Sequence, residues 1–289
     1  PEVVKRLVEP RPLEDIPGLY VRAQDGTLRH TGHAGSLTLG TLPPVQWRLA
    51  EKIDPFVDLS RDAIEFGVET QRGCIFKCEF CSYRTLVDPQ VLTPEQAVEG
   101  ILATGISPHG WINLTDSTAT FPHRRWEDVM RLLAGKGGSP HPIWAFARVS
   151  DINEERASLM RAAGVRHLFL GQESGDQKIL EAMKKGTRVE HVAPAVSALA
   201  RHGISATFGF IHGFPGEDRN TIAATRRMIE GLNDGLDHPT VFTYLLYPFI
   251  FLDFAAVSQQ ASLTGTDHYF GYNSSSLPPA EVVEEVLQT

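Results

Sequence analysis

Cysteine is scarce in this chain: 289 residues carry three, at positions 74, 78 and 81. Three thiols crowded together do not make the paired framework of a small secreted protein. Long apolar runs are missing too. The longest, near 241–257, is interrupted by Thr243, Pro248 and Asp253, so no segment reads as a membrane span. The first residues, Pro1–Lys5, lack the basic-then-apolar order of a secretory leader. A cytoplasmic protein without membrane contact is the expectation. Positive charge is in deficit, with 27 Lys plus Arg against 35 Asp plus Glu and a formal charge of -8. Nucleic acid is therefore not an expected partner, since binding it usually shows as a basic surface. The chain starts at Pro1 rather than Met, and it is read as a fragment or processed piece.

What is present is ordinary for a soluble globular protein: 42% apolar and 21% charged residues. The length suits one large domain, or one with an appendage. Residues 1–60 are rich in Pro and Gly and weakly periodic, and are read as a linker or cap of turns and extended chain. From 61 to 250 strand and helix patterns alternate. Strands are expected at Phe66–Thr70, Gly110–Leu114, Pro142–Ala147, Val165–Leu170, Ile204–Ile211 and Pro239–Tyr247. Helices are expected at Thr93–Ala103, Arg124–Leu133, Asn153–Ala163, Asp176–Met183, Val189–His202 and Arg219–Leu232. Thr93, Pro94 and Gln96 form a helix-start signature, and Gly164 and Gly203 close two helices. Such alternation predicts a parallel sheet with crossover helices, open or curled toward a barrel. Residues 251–289 are read as a C-terminal extension, with Asp267-His268-Tyr269, a Ser-rich turn and a helix at Pro279–Leu287.

The chemistry-bearing segment is Arg72-Gly73-Cys74-Ile75-Phe76-Lys77-Cys78-Glu79-Phe80-Cys81, spaced Cys-x3-Cys-x2-Cys after the first alternating strand. Thiolates are soft ligands that suit iron–sulfur clusters or zinc. A four-iron cluster takes four thiolates, so with three cysteines one iron stays open to a chelating ligand. A structural zinc site wants four ligands, and no histidine flanks the triplet, although His109 and His123 are candidates to reach it. A Cys-x2-Cys redox pair leaves Cys74 unexplained. The cluster reading is preferred because the spacing and the total cysteine count agree.

This triplet, with Phe80 before the last cysteine, resembles the radical S-adenosylmethionine (SAM) superfamily over roughly residues 65–250. The resemblance implies a partial (β/α)6 barrel, a [4Fe-4S] cluster held by Cys74, Cys78 and Cys81, and SAM bound at the open iron. It implies one-electron cleavage of SAM to methionine and a 5′-deoxyadenosyl radical that abstracts a substrate hydrogen. It also implies an electron donor such as flavodoxin or ferredoxin. Chemistry in such barrels sits at the C-terminal strand ends, where the cysteine loop falls.

Further positions carry the same resemblance. Asp116, in Asn113-Leu114-Thr115-Asp116-Ser117, stands where the family often has Gly-Gly-Glu. It is read either as a contact to the SAM amino group or as a cap or turn residue. Arg148, after the third strand, is expected to pair with the SAM carboxylate. Glu173 and Ser174, in Gly171-Gln172-Glu173-Ser174-Gly175, resemble the family's Gly-x-Glu-Ser segment facing SAM, with Met183-Lys184-Lys185-Gly186 flanking it. Ile211 is expected against adenine, before the turn Gly213-Phe214-Pro215-Gly216-Glu217.

The subclass most resembled is the cobalamin-associated radical SAM enzymes, methyltransferases among them. Asp15-Ile16-Pro17-Gly18-Leu19-Tyr20 with Asp25-Gly26 looks like the linker after their cobalamin domain. Residues 1–60 are too few to hold that domain, so it is expected to have been removed, to lie on another chain, or to have been lost. Tyr247-Pro248-Phe249-Ile250-Phe251-Leu252-Asp253 departs from the Pro-Gly-Thr turn of relatives. Cobalamin-free hydrogen abstraction, cyclisation or rearrangement stays open, as does a non-catalytic cluster or zinc scaffold. The substrate is expected to be a small molecule or peptide.

Overall fold

A computed structural model describes residues 2–9, 12–23, 25–32, 38–43, 45–54, 56–83, 88–234, 236, 241–249 and 278–289. The chain forms two compact units, Pro1–Leu42 and Pro43–Thr289. The expected boundary at 60 falls inside the second.

The first unit is more regular than its composition suggests. It holds helix α1 (Glu2–Val8) and an antiparallel hairpin of β1 (Tyr20–Arg22) with β2 (Leu28–His30). Asp25-Gly26 makes the turn. The Asp25 carboxylate accepts from the Thr27 amide at 3.0 Å, and Gly26 has φ +84°, a conformation that favours glycine.

In the second unit, short helix α2 (Ala50–Ile53) leads to strand β3 (Ile64–Val68). A small ribbon follows, β4 (Gln71–Arg72) paired antiparallel with β5 (Gln90–Val91). Then come α3 (Pro94–Leu102), β6 (Gly110–Leu114), α4 (His123–Gly135), β7 (Ile143–Ala147), α5 (Glu154–Ala163) and β8 (Val165–Glu173). The order continues with α6 (Gln177–Ala182), α7 (Val192–Arg201), β9 (Ser205–His212), α8 (Arg219–Glu230), β10 (Phe242–Pro248) and α9 (Pro279–Gln288).

Six strands form one sheet in the order β10-β9-β8-β7-β6-β3, and every neighbouring pair is parallel. This is the α/β partial barrel expected from the sequence. Helix ends follow their local chemistry. Thr93 makes the full capping box with Gln96, Asp218 caps α8, and Gly164 ends α5 at φ +109°.

One sheet face is sealed by helices. Phe66, Ile112, Ile143, Leu168, Phe208 and Phe242 pack there with helix residues such as Trp126, Met160 and Leu199. Burying one such side chain contributes about 1.5–3 kcal/mol, which fixes the register of each strand. The alternate residues turn to the other, concave face. Among the described residues no helix is long and apolar enough to cross a membrane. The expected Asp267-His268-Tyr269 and Ser-rich turn lie outside the described residues, as do 250–253.

Candidate functional site at the C-terminal end of the sheet

The cysteine loop leaves the end of β3 through a turn with buried anchors. Asp116, just past β6, is fully buried. Its Oδ1 accepts from the amides of Thr70 (2.7 Å) and Gln71 (2.9 Å), and its Oδ2 from the Thr70 hydroxyl at 2.5 Å. Burial pushes its carboxyl above the ordinary value of 3.8, and the bonds from Thr70 and Gln71 pull the other way. Arg125 of α4 donates to the Thr70 carbonyl at 2.8 Å, and Ser117 donates to the carbonyl of Gly73. Of its two sequence readings, that of a turn-holding residue accounts for these contacts, in which both oxygens of Asp116 hold the root of the cysteine loop.

Beyond Gly73 (φ +76°), Cys74 and Cys81 are partly exposed and Cys78 is buried. The loop is tied to the segment after α6. The Glu79 amide donates to the Met183 carbonyl at 2.9 Å, and Lys184 Nζ lies 2.5 Å from Glu79 Oε1. Phe80 joins Ile179, Met183, Phe214, Phe249 and Ile211 in a small apolar cluster. Phe80 of the cysteine loop and Ile211 of β9, both expected near SAM, therefore share one apolar wall.

Charge gathers beside this wall. Arg148 places its guanidinium 3.8 Å from the centre of the Phe76 ring and donates to the Lys185 carbonyl. Lys185 Nζ lies 2.7 Å from Glu173 Oε1 and 5.6 Å from the centre of the Phe80 ring. Burial pushes the Cys78 thiol up, while the positive charges of Lys185 and Arg148 pull it down. Glu173 occupies φ +73°, beyond a register shift between Gly171 and Glu173. A side chain at Gly171 would come within 2.4 Å of Glu173 Oε1 and 2.8 Å of Lys185 Nζ, so the ion pair fills the space that glycine leaves.

Lys185 is the member of this charged group that the sequence reading did not single out. It stood inside the quoted Met183-Lys184-Lys185-Gly186 stretch, but nothing local shows that the lysine folds back onto Glu173.

Ser174 faces α8. It is fully buried, its Oγ lies 3.4 Å from Thr225 Oγ1 of α8, and it accepts from the Asp176 amide at 3.1 Å. Its role is to join β8 to two helices. Gly175 shows how close that junction is: a Cβ there would sit 2.6 Å from Thr225 Cα. The turn after β9 is closed by Glu217, whose Oε2 accepts from the Gly213 amide at 2.5 Å. His212 Nδ1 lies 3.8 Å from Glu217 Oε1, and both side chains are fully buried.

The two histidines considered for zinc stand one before β6 and one after it. His109 precedes β6, at the opposite end of the sheet. His123 Nε2 lies 3.1 Å from Asp151 Oδ1. Among the described residues no three His, Cys, Asp or Glu side chains gather about one ion. Three soft thiols in one loop, with cations beside the buried one, form a donor set that fits the separate corners of a cluster.

Comparison with known proteins places this geometry. Residues 46–229 match the family model described as Radical SAM superfamily. An uncharacterized methyltransferase of Pyrococcus horikoshii is 28% identical over 194 residues, which is 62% of this chain and 40% of that protein. The methyltransferase TsrM of Kitasatospora setae, solved with cobalamin and a [4Fe-4S] cluster, has a TM-score of 0.67 and 18% identity. The match covers 97% of this chain and 57% of that one. The cobalamin-dependent enzyme OxsB, with aqua-cobalamin and SAM bound, has a TM-score of 0.70 at 18% identity, covering 98% and 48%. The chain thus spans about half the length of these proteins.

Proposed function

The chain belongs to the radical SAM superfamily, and we propose that it cleaves SAM reductively at a cluster held by Cys74, Cys78 and Cys81, in support of cobalamin-assisted methylation of an unactivated carbon. Membership of the family implies the cluster and SAM. When bound, the cluster supplies an open iron for the amino and carboxylate groups of SAM and the electron that splits it into methionine and a 5′-deoxyadenosyl radical.

The residues of this chain divide the remaining work. Arg148 and Lys185 place positive charge beside Cys78, which favours its thiolate. Arg148 is held on Phe76 with donors left for a carboxylate. Glu173 offers acceptors for an ammonium or ribose hydroxyl. Phe80 and Ile211 form an apolar wall suited to adenine, and they keep water from the reacting end. Asp116 and Ser174 support this surface from behind.

Methyl transfer rests on likeness to the Pyrococcus methyltransferase and to two cobalamin-dependent enzymes. A methyl carrier is needed, because the radical removes hydrogen and brings no methyl group. Cobalamin is assigned to a separate domain or chain, and the electron to a flavodoxin- or ferredoxin-type donor. The observation that carries the reading is the convergence of Cys78, Arg148, Lys185 and Glu173 at one end of a parallel sheet.

The test is anaerobic reconstitution followed by iron analysis and SAM cleavage under dithionite. About four irons per chain are expected, with loss of the cluster in Cys→Ala variants at each of the three positions. Stoichiometric zinc without iron–sulfur absorbance would overturn the reading. A complete reading frame that encodes no cobalamin module and turns over without cobalamin would replace methyl transfer by the hydrogen-abstraction alternative.

A further inference from the structure

Arg148 is held by fewer bonds than its burial suggests. It is 6% exposed, yet among the described residues its guanidinium donates only to the Lys185 carbonyl. An arginine side chain is rich in rotamers, and one bond does not fix its plane. The second restraint is the Phe76 ring, whose centre lies 3.8 Å from the guanidinium carbon. Gly186 leaves room for the group: a Cβ there would come 3.1 Å from Arg148 Nη2.

Phe76 needs support of its own. It sits in the cysteine loop, between Cys74 and Cys78, and is partly exposed. Phe121 braces it, with ring centres 5.3 Å apart at 67°, the edge-to-face arrangement that aromatic pairs favour. Phe121 in turn meets the His123 ring at 5.3 Å and 73°. His123 Nε2 lies 3.1 Å from Asp151 Oδ1, and Asp151 Oδ2 accepts from the Thr120 hydroxyl at 2.7 Å. The Asp151 side chain is 5% exposed, and its backbone amide donates to the Arg148 carbonyl at 3.0 Å.

These contacts close a circuit. Arg148 rests on Phe76, Phe76 on Phe121, Phe121 on His123 and His123 on Asp151. Asp151 ends the turn Val149–Asp151 that follows Arg148. The loop between β6 and α4, which carries Phe121, is fastened on two sides. Toward the cysteine loop, Ser117 donates to the Gly73 carbonyl and Gln71 Nε2 to the Thr118 carbonyl. Toward β7, the Ala119 amide donates to the Phe146 carbonyl at 2.8 Å. Phe121 thus links the loop that carries the thiols to the strand end that carries the arginine.

We propose that Phe121, braced by the His123–Asp151 bond, is a positioning residue that sets Arg148 for the SAM carboxylate through the Phe76 ring. This rests on the proposed function, since it names the support of the same site. A guanidinium fixed before SAM arrives loses less freedom on binding.

Placement and binding are read separately. Phenylglyoxal labels accessible guanidinium groups, and peptide mass spectrometry follows it at Arg148, with Arg226 of α8, paired to Glu285, as the control. Equilibrium dialysis gives the SAM affinity of the reconstituted chain. Phe121→Ala should speed labelling of Arg148 severalfold and leave Arg226 unchanged. It should weaken SAM roughly three- to tenfold. Phe121→Tyr keeps the ring and should match the parent in both. 5′-Methylthioadenosine shares the adenosine end of SAM and lacks the carboxylate, so its affinity should not change in Phe121→Ala. In the Arg148→Ala background, Phe121→Ala should cost nothing further. Iron content reports the cluster; should Phe121→Ala lose iron, Phe121→Leu, which keeps apolar volume, carries the same test. Unchanged labelling of Arg148, equal losses for SAM and 5′-methylthioadenosine, or full additivity with Arg148→Ala would overturn the inference. SAM weakened in Arg148→Ala but not in Phe121→Ala sinks this inference alone. SAM affinity unchanged in Arg148→Ala sinks the carboxylate contact of the proposed function, while faster labelling still shows that Phe121 places the guanidinium.

Discussion

Lys185 Nζ lies 2.7 Å from Glu173 Oε1, and the two side chains are only 10% and 11% exposed. The pair links the end of β8 to the segment after α6, which also carries the Met183 carbonyl that holds the cysteine loop. A buried ion pair is weak evidence for stability, but losing one partner strands the other. Lys185→Ala should therefore cost about 3 kcal/mol. The double variant Lys185→Ala/Glu173→Gln should recover part of that, because no charge is left unpaired. Chemical denaturation of the four proteins in the cycle reads the coupling. A double variant whose cost equals the sum of the two single costs would show that the pair is not coupled.

SAM affinity is a separate matter. Glu173→Ala and Arg148→Ala should each weaken SAM binding roughly ten- to a hundredfold, the worth of bonds to a charged group. Iron content should hold, since neither residue is a cluster ligand in the proposed site. Equilibrium dialysis with SAM beside iron assay checks both halves. Unchanged affinity in both variants would remove these residues from the SAM site.

Asp116 supports the loop from below, and its variants should split by shape. Asp116→Ala leaves the Thr70 and Gln71 amides without their acceptor and should cost about 2–4 kcal/mol. Asp116→Asn keeps an oxygen at the Oδ1 position and should stay within about 1 kcal/mol. Burial raises the native carboxyl above its ordinary 3.8, so the folded state holds a proton that the unfolded state releases. The stability of the parent relative to Asp116→Asn is then fullest below that value and falls as pH rises through the native one. Paired denaturation curves across the pH range where the fold persists measure this slope.

Gly175 faces backbone rather than a movable side chain, with a Cβ 2.6 Å from Thr225 Cα and 2.7 Å from the Ala224 carbonyl. Gly175→Ala should cost about 2–3 kcal/mol and lower Tm by roughly 5 °C. Calorimetry decides it, and an unshifted Tm would mean that α8 moves away freely.

Much of this architecture was legible in the sequence because its signals are local. The helix at Pro94–Leu102 was announced by Thr93, Pro94 and Gln96, and the capping box is formed. The strand at Gly110–Leu114 was read to the residue. The cysteine loop and its place after the first strand followed from spacing alone. Misses occurred where tertiary contacts override local pattern. β8 runs to Glu173 rather than stopping at Leu170, since a register shift and a positive φ carry it past a glycine that looks like a terminator. The hairpin at Tyr20–His30 hid in a segment dominated by turn residues. Ser174 and Asp116 each turn to a partner about fifty residues away in sequence, Thr225 and Thr70, which no local pattern shows. Lys185 was invisible for the same reason.

The cysteine loop is fastened to places the ribosome reaches late. Its root waits for Asp116, and the Glu79 amide waits for the Met183 carbonyl, about a hundred residues downstream. At typical synthesis rates of 5–20 residues per second, that delay is roughly 5–20 s. During it the three thiols emerge without the cations that later flank Cys78. Insertion of the cluster that the family implies is therefore a step that follows synthesis past Lys185, and premature oxidation of those thiols is the hazard that cellular maturation must outpace.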